Sequence, residues 1–148
     1  MYVKAELVMS HPDNRVEYDL FYSTVLDIDR GMLFDLGSHE RAFESQALFT
    51  PRIITYQCDN CSEKEKRENC LSNGRYCAYP PKNDPNPDLG IASGMNLLLE
   101  SLRSKCVYDY LRDQKGEDQD FFTWYNYMIN FDQDCENHAH FTYECANV

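Results

Sequence analysis

No stretch of this sequence approaches the roughly 18–20 consecutive apolar residues that a helix needs to cross a bilayer. The opening residues, MYVKAELVMSHPDNRVEYDL, also lack the short apolar run and small-residue cleavage site of a secretory leader. A mature chain, a piece of a longer protein and a cytosolic protein all fit these absences. Positive charge is scarce: 14 Lys and Arg against 25 Asp and Glu leave a formal charge of −11. Such a surface repels phosphate backbones and anionic lipid, so neither nucleic acid nor an acidic membrane is an expected partner. Missing too are a Ser/His/Asp set, a glycine-rich phosphate loop and an HExxH motif. Asp27 and Asp29, or Asp132 and Asp134, pair carboxylates only as any acid-rich solvated surface does. Asp84, Asp88 and their neighbours do not make a calcium loop of the EF-hand kind. No cofactor, metal or catalytic residue is expected.

What is present is a folded chain. At 148 residues, 43% hydrophobic and 14% aromatic, it has the length of about one domain and the composition of a packed one. Residues 2–9 and 15–23 alternate apolar and polar side chains, the period of half-buried strands, with a turn at His11-Pro12-Asp13-Asn14. From Val25 to Leu48 the apolar spacing lengthens to that of a helix, and FTPRIITYQC then reads as a strand. Ser62-Glu63-Lys64-Glu65 matches a capping box, which predicts a short polar helix over residues 63–70. Residues 80–90 hold four of the six prolines and are read as loop. Behind Ser93, Met95, Leu98, Leu99, Leu102 and Cys106 predict one apolar helix face. Phe121, Trp124, Tyr125, Met128, Phe131 or Asp132, and Cys135 predict another. The order suggests an α/β domain with a thin sheet and a helical second half.

Seven cysteines are the strongest chemical signal. Zinc wants two CxxC knuckles, and only Cys58-x2-Cys61 is one; Cys70 and Cys77 are spaced otherwise, and His138-x-His140 lies in a polar tail. A catalytic CxxC sits where a helix N-terminus follows the first core strand, but residues 23–31 contain no cysteine. Structural disulfides in an oxidising compartment are the favoured reading, with Cys106 and Cys135 a candidate pair on two neighbouring helices. Buried free thiols are the alternative for those two. An odd count leaves one cysteine unpaired or bonded outside the chain. Asn60-Cys61-Ser62 is an N-glycosylation sequon.

Three words carry more than composition does: SHPDNRVEYDLFYS, FTPRIITYQC and CLSNGRYCAYPP. In order and spacing they resemble the lumenal region of the vacuolar sorting receptors. LLLESLRSKCVYDY, FFTWYNYMINFDQDC and YECANV resemble later landmarks of the same region, so the likeness runs over about residues 3–148. It implies a partial thioredoxin-like α/β domain with a disulfide-braced, mostly helical insertion. Residues 1–14 would be a lead-in strand and turn. Residues 15–57 would be strand–helix–strand, with strands at Arg15–Ser23 and residues 49–57 and the helix over 25–48. Residues 58–148 would be the cysteine-rich insertion. The family's remaining thioredoxin elements would follow Val148, so the chain is expected to be a fragment of a membrane-anchored protein. The family's cysteine pair after the first strand is missing here. Lys66 stands where the family has a cysteine, with Cys61 as a replacement partner. The family has a further cysteine just beyond the position of Cys145, so the resemblance implies a bond from Cys145 to a residue outside this chain and internal pairing of the other six.

The implied function is a non-catalytic lumenal or extracellular module of a sorting-receptor-like membrane glycoprotein, supporting recognition of protein or peptide cargo. It would lie in the secretory or endosomal lumen or on the cell's outer face. Tyr76, Tyr79 and Arg75 are candidates for a binding surface; packing over a small core and pairing with acidic neighbours are the plainer roles for them. Two rivals stand beside this reading: a structural subunit of an extracellular or lumenal assembly, and a thiol–disulfide oxidoreductase using Cys58 and Cys61.

Overall fold

The computed structural model describes residues 7–8, 15–22, 31–32, 34–37, 39, 46–79, 93–115, 121–135 and 145. The expected turn at 11–14, the loop at 80–90, and Asp27, Asp29, Asp84, Asp88, His138 and His140 lie outside them. A three-stranded sheet forms from β1 (Leu7–Val8), β2 (Val16–Tyr22) and β3 (Ala47–Ile53) in that spatial order. β1 is antiparallel to β2, with Leu7 opposite Tyr18. β2 and β3 run parallel through seven pairs, from Val16↔Ala47 to Tyr22↔Ile53. A parallel pair needs a crossover connection, and residues 31–32, 34–37 and 39 within it are helical. β3 starts two residues earlier than the sequence pattern suggests, because pairing with Val16 and Glu17 draws Ala47 and Leu48 into the ladder.

The outer edge of β3 is blunted from within. Pro51 offers no N–H there, and the hydroxyl of Tyr108 donates to the Phe49 carbonyl. Tyr108 belongs to the long helix α2 (Gly94–Lys115), which packs with α3 (Phe121–Asp134). Between helices and sheet lies a core of Leu20, Tyr22, Phe49, Tyr108, Trp124, Tyr125 and Met128. Phe49 is its centre, with ring centroids 5.2 Å from Tyr108 and Trp124, 5.4 Å from Tyr125 and 5.7 Å from Tyr18. Those separations are the ones aromatic rings prefer. A smaller cluster of Leu97, Phe131 and Cys135, with Ala78 against it, continues the core toward the cysteine-rich part.

α3 buries the expected face: Trp124, Tyr125, Met128, Phe131 and, just past its end, Cys135. α2 does not. Its buried side holds Leu97, Leu98, Glu100, Ser101, Ser104 and Tyr108, while Leu99, Leu102 and Cys106 face solvent. Polar contacts decide this. The Ser104 hydroxyl bonds to that of Tyr22, the Ser104 carbonyl accepts from Trp124 Nε1 at 2.9 Å, and Glu100 accepts from Tyr127 at 2.7 Å. Cys106 lies two residues past Ser104, about 200° round the helix, so fixing Ser104 inward turns Cys106 outward.

That rotation takes Cys106 away from the core. The structure pairs Cys135 with Cys145 and leaves Cys106 free and exposed. This pairing differs from the expected Cys106–Cys135 bond and from the expected bond of Cys145 to a residue outside the chain. Cys58–Cys61 and Cys70–Cys77 are the other two bonds.

Candidate binding surface on the disulfide-braced module

Residues 56–79 build a small module on the N-terminal end of α2. Ser62 caps α1 (Glu63–Asn69): its hydroxyl accepts from the Glu65 amide, and the Glu65 carboxylate accepts from the Ser62 amide at 2.8 Å. The Ser62 hydroxyl also donates to the Glu65 carboxylate at 2.7 Å, and this bond first, then that from the Ser62 amide, holds the Glu65 carboxyl below its ordinary range. A two-residue hairpin, β4 (Cys70–Leu71) and β5 (Tyr76–Cys77), follows, with Cys70 opposite and bonded to Cys77. Its turn places Ser72, Asn73 and Gly74 at φ of 50°, 55° and 94°. Asn tolerates that left-handed region better than most residues. Gly74 has a further reason to be glycine, since a Cβ there would sit 2.9 Å from the Cys58 carbonyl oxygen. Tyr56 bridges to Cys77 on the far side of β5.

Cys58 and Cys61 therefore close a turn that is tied down at both ends. The Cys58 amide donates to the Gly74 carbonyl at 2.9 Å, and Ser62 begins the capped helix. Asn60, the sequon residue, is exposed in that turn. Among the described residues there is no cluster of three His, Cys, Asp or Glu able to hold a metal, and no helix long and apolar enough to cross a membrane.

The outer surface of the module is aromatic. Tyr79, 70% exposed, stacks flat on Tyr56 with centroids 4.2 Å apart and planes 12° apart. Partial burial raises the Tyr56 hydroxyl above its ordinary value, with Tyr79 and Glu65 adding to it. The Arg75 guanidinium lies 5.3 Å from the centre of the Tyr76 ring. Arg52, Lys64, Lys66, Arg103, Lys105 and Arg112 each meet a carboxylate, whereas Arg75 has none among the described residues. A flat aromatic pair and a cation that meets no carboxylate among the described residues can hold an apolar group and a carboxylate. Sequence reading singled out Tyr76, Tyr79 and Arg75 but missed Tyr56, which no local pattern connects to Tyr79.

Residues 23–148 match the vacuolar sorting receptor thioredoxin-like domain. Vacuolar-sorting receptor 6 of Arabidopsis thaliana is 30% identical over 150 aligned positions that cover 93% of this chain and 22% of the relative. Vacuolar-sorting receptor 1 of Pisum sativum is 29% identical over 93% of this chain and 23% of its own length. The chain thus spans less than a quarter of the receptors it matches. The parallel β2–β3 pair with helical residues in its crossover fits a thioredoxin-like domain. The chain belongs to the vacuolar sorting receptor thioredoxin-like domain family.

Proposed function

We propose that this chain is a non-catalytic lumenal module of a sorting-receptor-like membrane protein, and that its braced surface supports recognition of protein cargo. The match to the receptor domain along residues 23–148 carries this reading. The three disulfides support an oxidising compartment. The Tyr56–Tyr79 pair and Arg75 supply a surface suited to a peptide that presents an apolar side chain beside a carboxylate.

Calorimetric titration with synthetic peptides taken from soluble vacuolar proteins, against scrambled controls, tests it. Binding to the chain is expected, weakened about tenfold or more by Tyr79→Ala or Arg75→Ala. Absence of binding, or binding that neither variant changes, would overturn the role of this surface. Turnover in an insulin-reduction assay that disappears in Cys58→Ser would instead establish an oxidoreductase.

A further inference from the structure

Asn60-Cys61-Ser62 is the sole Asn-x-Ser/Thr triplet in the sequence, and the surface of Tyr56, Tyr79 and Arg75 makes no use of it. Its three residues have different fates in the fold. Asn60 is exposed in the turn, as is Asp59 before it, which accepts a hydrogen bond from Gln57 at 2.6 Å. Cys61 is bonded to Cys58. The Ser62 hydroxyl is committed to α1: it donates to the Glu65 carboxylate at 2.7 Å and accepts from the Glu65 amide at 3.3 Å.

An exposed asparagine in a turn has room for a bulky, solvated sugar chain. The three disulfides of the chain fit the compartment in which such sugars are attached. The attachment itself has a requirement that the finished fold does not meet. A transferase acting on this triplet recognises the hydroxyl two positions after the asparagine, and here Glu65 engages that hydroxyl as both donor and acceptor. The turn is also closed by the Cys58–Cys61 bond, and the Cys58 amide pins it to the Gly74 carbonyl at 2.9 Å. The acceptor is open to the enzyme only while that bond is unformed and α1 is uncapped.

We propose that Asn60 is an N-glycosylation site, filled before Cys58 and Cys61 join. The donor is a polyprenyl-diphosphate-linked oligosaccharide. The Asn60 side-chain nitrogen bonds to C1 of the first sugar and gives up one proton to a base. The C1–O bond breaks, and the diphosphate leaves with its electron pair. The proposal rests on the lumenal placement in the reading above.

Peptide mass spectrometry on the protein from its own cells, without reduction and before and after peptide N-glycosidase, tests the site. A Cys58–Cys61 linked peptide carrying a sugar chain is expected, with an aspartate in place of Asn60 after digestion and no sugar in Asn60→Gln. A linked peptide with Asn60 bare throughout would overturn the site and leave the lumenal reading standing. Free Cys58 and Cys61 with Asn60 bare would overturn both. The order is tested by adding the full chain to microsomal membranes with the lipid-linked donor. The chain held reduced should gain the sugar, as should Cys58→Ser, which leaves the triplet intact; the chain with its bonds formed should not. Equal modification of bonded and reduced chains would overturn the order, and modification of neither would overturn the site.

Discussion

The side chain of Ser104 sits among buried groups that depend on it. Its hydroxyl bonds to the Tyr22 hydroxyl and donates to the Ser101 carbonyl at 2.9 Å. Replacing Ser104 with alanine leaves the Tyr22 hydroxyl buried without that partner, which costs about 1–3 kcal/mol; a lowered urea midpoint at unchanged slope is the expected result. Burial also pushes the Tyr22 hydroxyl up to about 12, opposed by the Ser104 bond and assisted by Glu100. A raised value in the folded state means that stability is intact below the ordinary value of 10.0 and falls as pH climbs toward 12. Tyrosinate absorbance and circular dichroism should therefore change together over that window. Glu100 follows the same sign at acid pH. Burial raises its carboxyl above 4.5, with Tyr127 and Arg103 pulling the other way. The charged form is the one the fold disfavours, so this group's contribution is fullest below 4.5 and is lost as pH rises through the folded value. Glu100→Gln removes that dependence. The stability of the native protein relative to this variant should rise as pH is lowered from neutral.

At the start of α2 the braced module and the core are held together by a contact that admits no side chain. A Cβ on Gly94 would fall 2.1 Å from the Ala78 carbonyl oxygen, while the Gly94 amide donates to the Asn69 side chain at 3.0 Å. Gly94→Ala should destabilise the chain by about 1–3 kcal/mol through forced displacement, read as a lowered thermal midpoint. The elements differ in how far the sequence exposes them. Ser62-x-x-Glu65 specifies α1 almost to the residue, because a capping box is local chemistry. The inward face of α3 is plainer, since Trp124, Tyr125, Met128 and Phe131 recur at helical spacing and all are buried. α2 misleads because periodicity counts apolar residues, and here the inward side is won by Glu100, Ser101 and Ser104 through hydrogen bonds to distant residues. The hairpin of β4 and β5 is too short for any period to register. Its marker is the Asn73-Gly74 turn between two bonded cysteines.

For the molecule as a whole, family membership was legible in words such as NGRYCA, and with it the thioredoxin-like class. Disulfide connectivity was not, because it depends on which way α2 turns. Once Ser104 points inward, Cys106 is carried away from Cys135, and Cys145 becomes the partner within reach. Six of the seven cysteines are bonded in pairs along the chain, and Cys106 alone is unbonded. A non-reducing peptide map after alkylation of free thiols measures this directly. Linked peptides are expected for Cys58–Cys61, Cys70–Cys77 and Cys135–Cys145, with alkylation at Cys106 only. Free alkylation of Cys58 and Cys61, or a bond between Cys106 and Cys135, would contradict it.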